Sequence, residues 1–181
     1  MKLISRMCCS ALINPIQLMV EVIRPQHPLT YRLLSFLAHI LTGGTIAQIC
    51  CCLAAYFLMN DSQAAGMVAH IVVQHLSYYF LGCAFAILSI ANILIKRGSA
   101  PLKNIRLPAL IFMVAVATVS FLLIPRMDYL RETALVDGMP VMLSPFANYF
   151  QILNALVILL LAIQLFCSAL VAWRLSARQS S

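Results

Sequence analysis

The residues able to do chemistry crowd into one part of this chain. The triplet Cys50-Cys51-Cys52 precedes His70, Gln74, His75 and Ser77, and a polar group of Asn148, Gln151 and Asn154 follows nearer the end. Thiolate and imidazole ligate copper(I) or zinc, which makes Cys51, Cys52 and His75 the candidate soft-metal set. Successive residues on a helix point about 100° apart, so no more than two of the three cysteines can face one ion. A packed thiol cluster beside hydrogen-bonded histidines uses the same residues, and the spacing favours it.

Other chemistries find less support. A b-type haem needs two histidines at matching depth on facing helices. His39 falls near the start of the first apolar run and His70 and His75 near the start of the second, which puts them at opposite depths in an antiparallel pair. A quinone-coupled thiol oxidoreductase would want a CxxC pair, and the seven cysteines form none. The chain also lacks a Walker loop, HExxH and a nucleophile elbow. Enzymatic activity and a bound cofactor are therefore not expected.

The elements that hold these residues are membrane spans. Leu33–Leu58 and Met67–Ile95 are uncharged apolar runs joined by the short polar turn Met59-Asn60-Asp61-Ser62-Gln63. About 20 apolar residues in a helix cross the hydrocarbon layer. A span must satisfy its own backbone hydrogen bonds, so each run is predicted helical. Leu107–Ile124 is a third and shorter span, which Pro125 is expected to end, and residues 145–173 form a fourth. With 181 residues, 63% hydrophobic and 9% charged, the chain has little soluble mass. The predicted fold is an all-α integral membrane protein, a four-transmembrane-helix bundle with an N-terminal interfacial helix.

Its organisation follows as residues 1–32, a cytoplasmic or interfacial amphipathic segment; residues 33–174, the transmembrane domain with spans at about 33–58, 67–95, 107–124 and 145–173; and residues 175–181, a tail. In the first segment, Asn14 and Pro15 suit a helix start, and Ile16, Met19, Val20 and Ile23 share one side. Cys8 and Cys9 stand where acylation would occur, with unmodified thiols the expected state. The mixed-charge connector 126–146 carries Asp128, Arg131 and Glu132 at helical spacing. It reads as a short amphipathic helix on the membrane surface rather than a catalytic carboxylate pair.

Counting basic residues sets the orientation. Lys2, Arg6, Arg24 and Arg32, then Lys96, Arg97, Lys103 and Arg106, then Arg174 and Arg178 fall on one side, against Arg126 and Arg131 on the other. Ten against two places both termini in the cytoplasm. The net charge of +7 thus reflects topology, and no nucleic acid partner is implied. The outer halves of the spans then hold His70, Gln74, His75, Ser77, Asn148, Gln151 and Asn154, a polar pocket open to the outside. His70, Gln74 and Ser77 share a helix face predicted to point inward. Gly43 with Ala47, and Gly82 with Ala86, are small-xxx-small pairs expected to bring helices close together.

The order of features resembles the transmembrane protein 205-like family, whose bacterial members form a four-span domain of unknown function. The resemblance covers residues 33–173 and rests on His39, Gly43, Gly44 and Gln48 in the first span. It rests also on Ile124-Pro125-Arg126 at the end of the third, and on Phe146-Ala147-Asn148-Tyr149-Phe150 with Asn154 in the last. Two features depart from that pattern: no tryptophan stands near the first-span glycines, and Phe150 stands where a histidine is frequent. The resemblance implies the four-span fold and a link, in animal members, to platinum-drug resistance.

The functional expectation is a non-enzymatic membrane protein, in a bacterial inner membrane, that assists transport or efflux of a small solute or soft metal. The rival is an accessory subunit packed against a larger membrane complex or a second copy of the chain. A third reading is a haem- or quinone-linked redox protein. A transporter gathers its polar groups around one interior cavity, whereas an accessory subunit presents small and polar residues outward.

Overall fold

A computed structural model describes residues 28–96, 102–136 and 138–177. The interfacial helix and the cysteines at 8 and 9 lie outside these residues. Five α-helices account for most of the described chain: α1 (Pro28–Leu58), α2 (Ser62–Lys96), α3 (Lys103–Thr118), α4 (Ile124–Val136) and α5 (Ala147–Ser176). A π-helical turn, Val119–Leu123, joins α3 to α4 without a break, and a 3-10 turn, Val141–Leu143, precedes α5. The result is four helices long and apolar enough to cross a membrane, spanning Leu29–Leu58, Gln63–Lys96, Lys103–Val136 and Ala147–Ser176.

The third span departs from expectation. Pro125 does not end it. Proline has no N–H, so an α-helical ladder would leave the carbonyl four residues back without its donor. The chain avoids that conflict by widening one turn. Ile124 donates instead to the carbonyl of Val119, five residues back, and Pro125 then falls in the first turn of α4, where its missing N–H costs little. The helix closes only at Gly138, whose φ of +70° suits a residue without a Cβ. There Gly138 donates to Leu135 (3.0 Å) and Met139 to Ala134 (3.1 Å), a Schellman closure.

This longer third span is the most enclosed of the four. It buries half of its most apolar stretch inside the protein, against 22% for α1. Its neighbours are α2 on one side and α5 on the other. The matching stripe on α2 is regular: Gly66, His70, Val73, Ser77, Phe80, Ala84, Ile87, Ala91 and Leu94 are all buried, at alternating steps of four and three. That is the seam spacing of helices packed with a slight left-handed crossing. Phe80 of this seam meets Phe112 of α3 edge to face, with centroids 6.2 Å apart. A contact of that geometry contributes about 0.5–1.5 kcal/mol beyond burial.

Helix α1 joins through side chains. Gly44 lies against the Phe80 ring, where an added Cβ would come within 2.7 Å of a ring carbon. Thr45 shares a 3.2 Å hydroxyl contact with Ser168 of α5, and the Cys52 thiol points at the Ala69 carbonyl. At the other end of the helices, Arg174 donates to the Asn104 carbonyl, tying the end of α5 to the start of α3. Outward faces carry Phe36, Phe85, Phe121, Leu122, Phe166 and Trp173, all largely exposed. Such a surface suits lipid rather than water.

Candidate functional site

Four elements converge near the turn between α1 and α2. Ile49, Cys52, Leu53 and Tyr56 come from α1, Ala69, His70 and Val73 from α2, Arg131 from α4, and Phe150, Asn154, Val157, Ile158, Leu161, Ala162 and Leu165 from α5. Together with Asp61, Gln63 and the Pro140–Met142 turn they enclose a cavity of about 610 Å³. Most of its wall is aliphatic. The polar groups gather at one end, the end nearest the α1–α2 turn. That volume is ample for a small molecule.

Arg131 dominates the polar end. Ile124, Met127 and Arg131 follow one another at i, i+3 and i+7, so the inward stripe of the third span carries the arginine into the interior. Its guanidinium carbon sits 5.2 Å over the Phe150 ring. On the other side it rests on Gly66, where a Cβ would come within 2.5 Å of Nη2 and 3.3 Å of the Tyr56 hydroxyl. The glycine is what leaves room for it. One Nη1–H donates to Nδ1 of His70 at 3.1 Å, and Asp128 lies 3.6 Å from the same nitrogen.

His70 Nδ1 also lies 2.9 Å from Oδ1 of Asp128. One ring nitrogen therefore meets a donor and a carboxylate together. A bare Nδ1 accepts from Arg131, and a protonated Nδ1 donates to Asp128. It cannot satisfy both. The carboxylate is 43% exposed and does not line the cavity, whereas His70 and Arg131 are buried and do. The cavity thus meets the basic members of the triad and not its acid.

Of the residues singled out in the sequence, the cavity takes His70 and Asn154. Ser77 is buried on the same seam, but its hydroxyl donates to the Val73 carbonyl. Gln74 is half-buried and outside the lining, and Asn148 and Gln151 are exposed. His75 is exposed too, its Nδ1 held against the Ile71 carbonyl of its own helix. The polar pocket is therefore smaller than expected, because α5 turns Asn148 and Gln151 outward.

The soft-metal set is not gathered. Cys51 is exposed, and Cys52 faces Ala69, more than a turn along α2 from His75. No group of three or more His, Cys, Asp or Glu side chains able to hold a metal occurs among the described residues. His39 bonds the Ser35 carbonyl and lies 3.4 Å from Ser176, at the end of α5 away from His70, so no histidine pair among the described residues frames a haem. The small-residue pairs also need correction. Gly43, Ala47 and Gly82 face outward, and nothing lies within 4 Å of a Cβ built on either glycine. Gly44 and Gly66 make the close approaches instead.

The sequence does not mark Arg131 and Asp128 as site residues, because a proline just before them reads as the end of the span. A signal is nonetheless present: carried through the proline, the stripe Ile124–Met127–Arg131 stays in phase. Two further buried groups have no partner among the described residues, the side-chain amide of Gln48 and the hydroxyl of Ser120. Neither lines the cavity. No family model matches the chain, and comparison with curated proteins and with solved structures finds no similar protein.

Proposed function

We propose that the chain is a non-enzymatic, multi-pass membrane protein that takes an amphiphilic small molecule into the cavity between α1, α2, α4 and α5 and assists its transport or efflux. The observation that carries this reading is the cavity's division into an aliphatic trough and a polar end where His70 and Arg131 are buried and Asp61 is exposed. A buried, incompletely paired arginine at membrane depth is costly to keep, which points to a use. The trough runs along Ile158, Leu161 and Ala162 of α5, of which Ile158 and Ala162 are exposed, so an apolar tail can enter from the bilayer. The same proposal includes a bacterial inner membrane, both termini in the cytoplasm by the count of basic residues, and membership of the transmembrane protein 205-like family on the motifs quoted above.

The test is mass spectrometry of whatever co-purifies with the chain in mild detergent, set against Ala162→Trp, which fills the trough while leaving Arg131 in place. An amphiphile enriched over bulk membrane in the wild type and depleted in the variant supports the reading. Equal, unenriched lipid in both overturns it. A second reading, an accessory subunit or a self-associating chain, draws support from the outward-facing Gly43, Ala47 and Gly82. Single-molecule mass in native nanodiscs separates the two, since a lone subunit that binds the amphiphile needs no partner.

A further inference from the structure

We infer that the cavity's occupant is a long-chain carboxylic acid, bound as its carboxylate together with one proton that settles on Nδ1 of His70. The inference rests on the amphiphile reading above and names the head group.

The argument starts from the conflict at Nδ1. With that nitrogen bare, the bond from Arg131 is made, but the ring lone pair faces the Asp128 carboxylate at 2.9 Å. With the nitrogen protonated, the contact to Asp128 becomes a charge-assisted hydrogen bond. Nη1 of Arg131 then faces an N–H and loses that hydrogen bond, keeping only Asp128 at 3.6 Å, beyond hydrogen-bond reach. The guanidinium is stacked on Phe150 and cannot retreat past Gly66. It therefore needs a new acceptor, and the open side is the cavity. A carboxylate offers two oxygens to its planar fork.

Charge decides the rest. Arg131 with Asp128 and neutral His70 sums to zero. Adding a carboxylate alone would leave a net negative charge in an apolar wall. Adding a carboxylate and a proton leaves zero again, as two pairs: carboxylate with Arg131, and imidazolium with Asp128. No bond of the guest breaks, because it enters as its carboxylate and the proton comes from the solvent. The other charged or titratable groups around His70 are Cys52 and Tyr56 of α1 and Asp61 of the turn, all on the cavity wall, with the Cys52 thiol turned to the Ala69 carbonyl. Asp61 already accepts the Gln63 N–H at 2.9 Å. From α5 the neighbours are Phe150 and Asn154, which carry no charge, and on α4 Arg126 and Glu132 are exposed. Beyond the head, the aliphatic lining of Val73, Val157 and Leu161 suits an alkyl chain and offers a second polar group no partner.

Isothermal titration calorimetry of the full chain in nonionic micelles, corrected with empty micelles, tests this with palmitic acid, methyl palmitate and hexadecanol. The acid is expected to bind at least tenfold tighter than the ester or the alcohol. Titrations of the guest at a pH where it is ionised in the micelle, in buffers of different ionisation enthalpy, should show uptake of close to one proton, lost in His70→Gln. Arg131→Gln should bring the acid down to the affinity of the ester. If ester and alcohol bind as tightly as the acid, this inference fails and the amphiphile reading stands. If none of the three binds, the amphiphile reading itself fails. The comparison of guests uses the unaltered chain, so it decides between these outcomes even where a variant does not fold.

Discussion

Glycine does different work at different positions in this chain. Gly66 makes room for a guanidinium and Gly44 for a phenyl ring, while Gly43 and Gly82 face outward with space around them. The four sites therefore separate packing from mere smallness. Gly66→Ala is expected to destabilise the chain by about 1–3 kcal/mol, the range for overpacking a filled site. It should also displace Arg131 from its seat on Phe150. Gly43→Ala and Gly82→Ala should be neutral or stabilising by up to about 1 kcal/mol, since alanine is the better helix former and meets nothing there. Reversible unfolding in mixed micelles reads all three. A costly Gly43→Ala with a harmless Gly66→Ala would contradict the assignment of faces.

At the scale of the element, the π turn at Val119–Leu123 sets where the basic site points. A wide turn holds one residue more than the α ladder would, so it rotates everything after it. Without it, α4 would turn by about 100°, carrying Arg131 off the inner stripe. Deleting Leu122, which is exposed, should regularise the turn at little cost in helix content. Cysteines placed at His70 and Asp128 in an otherwise cysteine-free chain should crosslink readily, since these side chains meet at 2.9 Å. The crosslink should be lost when Leu122 is deleted. Unchanged crosslinking with unchanged helix content would show that the π turn does not set the phase. The same element explains why Pro125 is tolerated in mid-span.

The whole molecule has its closed ends and its open groove at different levels. Arg174 and Asn104 meet at one end of the helices, with His39 beside Ser176. The Arg131 triad and the cavity lie toward the other, next to the α1–α2 turn. We propose from the distribution of basic residues that the first end is cytoplasmic and that the groove opens toward the outer leaflet. Reporter fusions at Ser181 and next to Ser62 are therefore expected on opposite sides of the membrane, with the Ser62 fusion outside. Both fusions on one side would remove the orientation and, with it, the assignment of the groove to the outer leaflet.

Features governed by composition over a whole helix were legible from the chain alone. Apolar runs such as Leu33–Leu58 and Met67–Ile95 exceed the thickness of a bilayer, and no neighbour can change that. The turn at Met59–Gln63 was equally legible, because short polar residues act on the backbone locally. The inward face of α2 was legible for His70 and Ser77 from their spacing. Phase between helices was not. Whether Gly43 or Gly44 meets a neighbour, and whether Gln151 turns inward, depends on rotations of about 100° per residue that only packing selects. Pro125 is the sharpest case. Its lack of an N–H reads as a stop in one dimension. In three, the wide turn closed by an i−5 bond from Ile124 to Val119 carries the helix past it and delivers Arg131 to His70.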